Sequence, residues 1–452
     1  MKIILVGCGK VGVALIGALV AEGHDLVVID NRREVLDELT NQYDVMCMEG
    51  NGTDCEALQE AGADKAELFI AVTGSDELNM LMCFLAKGQG AGHTIARIRN
   101  PQYNDKSLSF LRQQLNLDLA VNPELLTAQE LYHILKLPAA TKVETFSRRS
   151  FEMVELRLKE DSPLLGQRLM DLRNRFKAKF LICVVQRENE VVIPRGDFVL
   201  RAGDRIGLTA DRAELGKLLK ATGLAKRQAK NVTLLGGSRI AFYLGKMLLN
   251  AGTDVTLIEK DHAVCRKFSD LLPGIRVYCG DGTQRELLQE AGLLDQNAFV
   301  TLTGMDEENI LVSYYARSQK VSQVITKVNR DEMAAMAEQM GLESVITPKT
   351  VVVNMVLRYA RALQSSMGSS IENLYQLMEG RAEALEFIVR EDTVYTGVPL
   401  KDLRLKKNIL IGGILRERRA IIPAGDDVIL PGDRVVVIAG HRRLNALEEI
   451  LL

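Results

Sequence analysis

Ile3-Ile4-Leu5-Val6-Gly7-Cys8-Gly9-Lys10-Val11-Gly12 is written a second time, with changes, as Val232-Thr233-Leu234-Leu235-Gly236-Gly237-Ser238-Arg239-Ile240-Ala241. One Gly-x-Gly-x-x-Gly run is weak evidence, because glycine-rich chains produce it by chance, so the residues that follow have to decide its meaning. After Gly12 an apolar helical pattern runs through Leu15, Ile16 and Leu19. A turn at Glu22-Gly23-His24 leads into the strand Asp25-Leu26-Val27-Val28-Ile29, which ends in Asp30. After Ala241 come Leu244, Met247 and Leu248, a turn at Asn250-Ala251-Gly252, and the strand Asp254-Val255-Thr256-Leu257-Ile258, which ends in Glu259. Strand, glycine turn, helix, strand and an acid about 20 residues on are the parts of a dinucleotide-binding βαβ unit.

The register continues far beyond the fingerprint. Gly7 and Gly236 are 229 residues apart, as are Asp30 and Glu259. After one inserted residue, Gly50-Asn51-Gly52-Thr53 matches Gly280-Asp281-Gly282-Thr283, and Thr73-Gly74-Ser75-Asp76-Glu77 matches Thr303-Gly304-Met305-Asp306-Glu307. Arg97 meets Lys327 in the same register. A repeat of this length reads as an internal duplication.

Each half predicts two modules. The first 123 residues read as a Rossmann-like domain, with Asn122 capping and Pro123 opening a crossover helix over 124–140. Residues 141–226 change to short alternating strands, as in Phe151–Leu158 and Val199–Ile206. The second half repeats the order: a Rossmann-like domain over 230–348, a crossover helix over 349–368 opened by Thr347-Pro348, and a small domain over 369–452. In the small domains Leu200-Arg201-Ala202-Gly203-Asp204-Arg205 reads as the mirror of Leu430-Pro431-Gly432-Asp433-Arg434. Lys226-Arg227-Gln228-Ala229-Lys230 reads as a polar linker. The fold class expected is α/β, with two doubly wound parallel sheets, each followed by a small α+β domain. The crossover helices are apolar over a wide arc, which predicts packing against the other half or another subunit.

Composition narrows the function. With 57 Lys and Arg against 59 Asp and Glu over 452 residues, the net charge of −2 gives no bulk attraction to nucleic acid or anionic lipid. The seven cysteines show no Cys-x-x-Cys pair, which fits a reducing cytosol. Cys8, inside the glycine turn, reads as a packing residue. The start of the chain superficially resembles a secretion signal and Leu5-Val6-Gly7-Cys8 a lipoprotein box, but too few apolar residues precede Cys8 and Lys10 interrupts them. No stretch approaches the roughly 20 apolar residues that span a bilayer.

The motifs support binding. Gly7 permits the tight turn, Gly9 lets a pyrophosphate reach the backbone, and Gly12 lets helix and strand pack closely, with the phosphates at the helix N-terminus beside Lys10 and Val11. Asp30 is placed to accept from adenosine ribose hydroxyls and to repel a 2′-phosphate, which favours NAD(H) over NADP(H), although Arg32 and Arg33 stand where a phosphate can also be held. In the second copy Ser238 replaces Gly9 and Ala241 replaces Gly12. Beside Gly236, Gly237, Arg239 and Ile240, with Glu259 as the acid, this predicts weaker or different occupancy, or none. Asn51, Thr73, Gly74 and Arg97, with Asp281, Thr303 and Gly304 in the second half, fall at strand ends where a doubly wound sheet has its crevice; Thr-Gly-x-Asp also reads as a simple helix cap. No metal site and no catalytic acid/base pair is apparent. None of the histidines His24, His93, His133, His262 and His441 repeats between halves, and His24 and His133 read as surface residues. No Gly-x-x-x-x-Gly-Lys-Ser/Thr loop for ATP hydrolysis is present.

The tandem glycine turns, Asp30 and Glu259, the Gly50–Thr53 and Gly280–Thr283 loops and the small module after each half resemble the regulator of potassium conductance (RCK, or KTN) family over essentially the whole chain. The resemblance implies a non-enzymatic subunit that binds NAD(H) and ATP or ADP. It further implies a homo-oligomeric cytosolic ring, a dimer or tetramer, peripheral on the inner face of the membrane. Its partner would be a membrane-embedded potassium-translocating subunit of Trk type. Lys10 and Arg239 would sense phosphate number, and the helices opened by Pro123 and Pro348 would carry the change. The alternative is a two-domain NAD-dependent oxidoreductase.

Overall fold

A computed structural model describes the chain except for residues 104, 138–139, 147–150, 189, 225–228, 367–370, 391–392, 418, 441–443 and 445. The first half begins with six strands, β1 (Lys2–Val6), β2 (Asp25–Asp30), β3 (Met46–Glu49), β4 (Leu68–Ala71), β5 (His93–Arg97) and β6 (Leu119–Val121). They form one parallel sheet in the order β3-β2-β1-β4-β5-β6. Between and after them run α1 (Lys10–Ala21), α2 (Arg33–Gln42), α3 (Cys55–Glu60), α4 (Asp76–Gln89), α5 (Asp105–Gln114) and α6 (Pro123–Lys136). β1 and β4, buried along nearly all their length, are continuous apolar runs, as strands covered on both faces must be. The order reverses between β1 and β4, and the two loops leaving those strands are the glycine turn and Thr73-Gly74.

The small module that follows holds β7 (Lys142–Phe146), β8 (Phe151–Arg157), α7 (Leu169–Phe176), β9 (Phe180–Arg187), β10 (Glu190–Val192), β11 (Arg205–Ala210) and α8 (Arg212–Ala221). Its sheet is antiparallel, β10-β9-β11-β8-β7.

The second half rebuilds the parallel sheet from β12 (Asn231–Leu235), β13 (Asp254–Glu259), β14 (Arg276–Cys279), β15 (Ala298–Thr301), β16 (Gln323–Lys327) and β17 (Ser344–Ile346). Its helices are α9 (Arg239–Asn250), α10 (His262–Leu271), α11 (Arg285–Glu290), α12 (Asp306–Ser318), α13 (Asp331–Gln339) and α14 (Pro348–Ser366). The order β14-β13-β12-β15-β16-β17 is that of the first sheet. Five strands close the chain, β18 (Ile371–Leu377), β19 (Ala382–Ile388), β20 (Ile409–Arg416), β21 (Arg419–Ile421) and β22 (Arg434–Gly440), ordered β18-β19-β22-β20-β21.

The sequence reading needs three corrections. Val199–Asp204 is a turn, and its strand starts only at Arg205, because Asp204 accepts the Arg201 N–H and Gly203 takes φ +86°. The corresponding turn has Gly432 at φ +87° and Asp433 accepting the Leu430 N–H, so Arg201 matches Leu430, and Leu200 matches the buried Ile429. His24 is a core residue with 5% exposure, since the turn after α1 folds back and its N–H donates to Leu19 O. His441 and Lys226-Arg227-Gln228 of the expected linker lie outside the described residues.

Two compact units result, Met1–Thr127 with Thr347–Ala360, and Ala128–Ile346 with Arg361–Leu452. Most of α14 therefore belongs to the first parallel sheet, where the Tyr359 hydroxyl lies 3.2 Å from His93 Nδ1 on β5. Val352, Val356, Leu357 and Ala360 on this helix are buried. The end of α6 belongs to the second unit, where Gln323 Nε2 donates to Ile134 O at 2.9 Å and Leu131, Ile134 and Leu135 are buried. The wide apolar arcs of these helices thus go to the other half. Each large side chain so buried contributes about 1.5–3 kcal/mol, so losing either helix is comparable with a domain's entire net stability. Within the second unit the antiparallel sheets share a core built around Phe146 and Tyr375, whose rings meet edge to face at 4.5 Å.

Candidate functional site

β1 leads directly into the glycine turn, and backbone sterics decide what can stand there. Gly7 has φ +101°, and a Cβ on it would lie 2.9 Å from the Thr73 nitrogen. A Cβ on Gly12 would lie 1.9 Å from Gly7 O, so only glycine lets α1 start against the turn. Gly9 faces open space and caps α1 without a side-chain hydrogen bond. Among the described residues the first-turn N–H groups of α1 have no side-chain cap, the arrangement that suits an anion.

The acid at the end of β2 is already engaged. Asp30 Oδ2 accepts the Cys8 N–H at 2.6 Å, while Oδ1 accepts the Arg32 N–H and Nε–H, each at 3.0 Å. Arg32 Nη2 reaches Asp30 Oδ2 and Cys8 O, both at 3.3 Å. Burial works against the Asp30 charge, but the Arg32 side-chain hydrogen bond, the two backbone N–H groups and the guanidinium charge hold its carboxyl below the usual range. Cys8 is buried, and burial followed by the Asp30 charge pushes its thiol up to about 12, which fits a packing role.

Across the switch point, Thr73 N–H and Oγ1–H both donate to Asn79 Oδ1, at 2.8 and 2.7 Å. Asn79, fully buried on α4, passes its own Nδ2 protons to Thr73 O and Arg97 O. Arg97 Nη2 also donates to Thr73 O. Ser75 caps α4, whereas Asp76 accepts the Arg99 and Asn100 N–H groups at 2.8 Å each, fixing the loop after β5. The helix-cap reading of Thr-Gly-x-Asp thus belongs to Ser75. The second half copies this brace: Thr303 donates to Asn309, which donates to Thr303 O and Lys327 O, and Asp306 accepts from Asn329 and Arg330. Asn79 and Asn309 escaped the sequence reading, although they are 230 residues apart like the motifs around them.

The first crevice has a volume of about 690 Å³ and brings together Gly7, Cys8, Gly9, Asp30, Asn51, Thr73, Gly74 and Arg97. Lys10, Val11 and Gly12 lie in the first turn of α1, outside its lining. The second, about 310 Å³, gathers Gly236, Gly237, Ser238, Glu259, Asp281, Thr303 and Gly304, while Arg239 and Ile240 on α9 stand outside it. Lys327 repeats the Arg97 contact, its Nζ donating to Thr303 O as Arg97 Nη2 donates to Thr73 O, but it is buried and does not line the second crevice as Arg97 lines the first.

The two differ in chemistry as well as size. Ser238 Oγ accepts the Ala241 N–H at 3.3 Å, giving α9 the side-chain cap that α1 lacks. Glu259 accepts the Gly237 N–H at 2.5 Å and the Asp261 N–H at 2.8 Å. Glu308 stands where the first half has Leu78, and burial together with the Asp281 and Glu259 charges raises its carboxyl despite Lys260. Asp281, where the first half has Asn51, is held low by the Thr283 N–H and hydroxyl. Charged groups lining the first crevice are Asp30, Arg32 and Arg97; those lining the second are Glu259, Asp281 and Glu308 against Lys260.

Family models agree with this reading: the TrkA-N domain matches residues 3–123 and 232–348, and the TrkA-C domain matches 153–223 and 384–452. The chain belongs to the TrkA family. A Trk system potassium uptake protein TrkA homolog of Archaeoglobus fulgidus is 34% identical over 450 residues, covering all of both chains. The TrkA protein of Halomonas elongata is 28% identical over 456 residues, covering all of this chain and 98% of its own. Among solved structures, the GsuK RCK domain superposes with a TM-score of 0.63 at 18% identity, over 97% of this chain and 92% of its own. The GsuK channel bound to NAD gives 0.62 at 18% identity, over 97% and 77%. These two likenesses show the fold. As a TrkA member the chain is a regulatory potassium-uptake protein and not an enzyme, so the oxidoreductase alternative falls. Among the described residues no helix is long and apolar enough to cross a membrane, and no group of His, Cys, Asp and Glu is arranged to hold a metal ion.

Proposed function

We propose that the chain is a cytosolic nucleotide-sensing subunit that binds NAD(H) in the first crevice and gates a membrane-embedded potassium-translocating partner. The uncapped start of α1 beside Gly9 and Asp30 carries this reading, because it offers free N–H groups to a pyrophosphate next to an acceptor for ribose hydroxyls. Asp30 already accepts four hydrogen bonds, about the capacity of one carboxylate. Ribose hydroxyls therefore enter by displacing the half-exposed Arg32 guanidinium. Arg97 and the amides of Lys10, Val11 and Gly12 are assigned to the phosphates; Asn51, Thr73 and Gly74 frame the crevice.

The second crevice, smaller, capped and acidic, is assigned a different and weaker occupant than NAD(H). ATP or ADP fits the reading if a cation offsets the carboxylates of Glu259, Asp281 and Glu308. The domain limits read from the sequence, Rossmann-like over 1–123 and 230–348 and small modules over 141–226 and 369–452, are proposed as the working units of a homo-oligomeric ring on the inner membrane face. A nucleotide gates such a ring only by binding its two states with different affinity.

Affinity capture of the tagged chain from gently solubilised membranes, with and without NADH and ATP, tests the partner. Retention of a polytopic potassium transporter in a nucleotide-dependent amount is expected. A preparation free of membrane protein under every condition would overturn the gating role.

A further inference from the structure

β14 ends in Cys279, which is exposed and faces Glu259 across the β13–β14 register. Its sulfur lies 3.2 Å from Nδ1 of His262, the first residue of α10. Cys265, one turn along the same helix, is buried and donates its thiol to Glu259 O at 3.2 Å. Burial pushes the Cys265 thiol up to about 12, and a hydrogen bond to Cys279 followed by the Cys279 charge pushes it the same way. Two thiols, one open to solvent and one shielded, thus meet at one strand end beside an imidazole: Cys279 bonds His262, and Cys265 bonds the carbonyl of Glu259, the register partner of Cys279. At the matching positions of the first half stand Glu49, Leu36 and Arg33, so the cluster is not a legacy of the duplication.

We propose that Cys279 is a thiol-modification site for low-molecular-weight disulfides of the glutathione type, resolved by Cys265. In the first step Cys279 gives its proton to His262 Nδ1 and attacks one sulfur of the disulfide, forming a mixed disulfide and releasing one thiolate, which His262 protonates. Capping Cys279 removes the charge that disfavours ionisation of Cys265. Cys265 then loses its proton to His262, attacks the Cys279 sulfur and releases the second small thiol. The balance is one external disulfide reduced to two thiols and two protein thiols oxidised to one disulfide. Because Gly280-Asp281-Gly282 follows Cys279 directly and Cys265 bonds the carbonyl of Glu259, the new bond sits against the wall of the second crevice.

The test uses the full chain, reduced, incubated with oxidised glutathione, quenched by alkylation and mapped by peptide mass. The unmodified sequence is expected to yield a Cys265–Cys279 disulfide without a lasting glutathione adduct. Cys265→Ser is expected to trap the adduct on Cys279, forming roughly tenfold faster than on the exposed Cys55, whose sulfur has no hydrogen-bonded imidazole or second thiol among the described residues. His262→Gln is expected to slow the Cys279 reaction alone. Glutathione accumulating on Cys55 at the same rate as on Cys279, or no Cys265–Cys279 linkage in the unsubstituted chain, would overturn the proposal, and it requires no substitution to observe the latter.

Discussion

The two crevices share strand order, glycine turn, acid and asparagine brace, yet one is larger and lined by two arginines against one aspartate while the other is smaller, capped and acidic. Duplication therefore preserved the frame and freed the lining. Groups whose loss would collapse a loop, Asn79 with Asn309 and Asp76 with Asp306, are the same in both copies. Groups that line the cavity, Gly9 with Ser238, Asn51 with Asp281 and Leu78 with Glu308, have diverged.

The sharpest way to break this comparison is at the turn. Gly12→Ala places a methyl group 1.9 Å from Gly7 O and is expected to destabilise the first unit by about 3 kcal/mol in denaturant unfolding. Ala241→Gly, at the equivalent place, should cost only about 1 kcal/mol, the ordinary helix penalty. Equal costs would mean that the two turns do not differ as described.

Next in size, Asp30→Ala is expected to weaken NADH binding about thirtyfold, roughly 2 kcal/mol, in a fluorescence titration. Unchanged affinity would remove the first crevice as the NADH site. Exchanging the caps comes third. Gly9→Ser should lower NADH affinity about fivefold by filling open space and satisfying an amide of α1, while Ser238→Gly should cost α9 only a few tenths of a kcal/mol. Stability unchanged and affinity unchanged together would show that the cap does not distinguish the crevices.

Smaller still is the effect of acid. The Asp30 and Asp306 carboxyls are held below their ordinary range, so the stability they contribute is present above about pH 4, the unfolded value, and fades as pH falls through the folded values. Asp30→Asn should flatten that fall in a pH series of unfolding midpoints, and an unchanged slope would show that the Arg32 pairing contributes nothing.

Much of this was readable from residue order alone. A strand that must be buried on both faces is a run of apolar residues, and a glycine turn followed by a periodic helix and an acid leaves few alternatives, so β1, α1, β2 and Asp30 were placed correctly. What the sequence concealed depends on long-range contact. Asn79 looks like a polar interruption of an apolar helix until Thr73 and Arg97 are seen to share it. Arg32 read as a place where a phosphate can also be held, and its guanidinium proved to lie over Asp30, two residues back. His24 read as a surface residue of a turn and proved buried. Among the described residues the last module has short 3₁₀ turns at Leu400–Asp402 and Leu447–Ile450, so its likeness to the first was legible in the strands and hidden elsewhere.

The exchange of α14 into the first sheet has a consequence for biosynthesis. The residues that complete that unit end at Ala360, so a nascent chain leaving the ribosome holds an unfinished first unit until they have been translated. Residues from Met1 to Thr127 must wait, with apolar surface uncovered, for a helix encoded more than two hundred positions later. Such a protein is exposed to chaperone capture during its own synthesis, and the folding of its first unit is tied to residues 347–360 as much as to its own first strands.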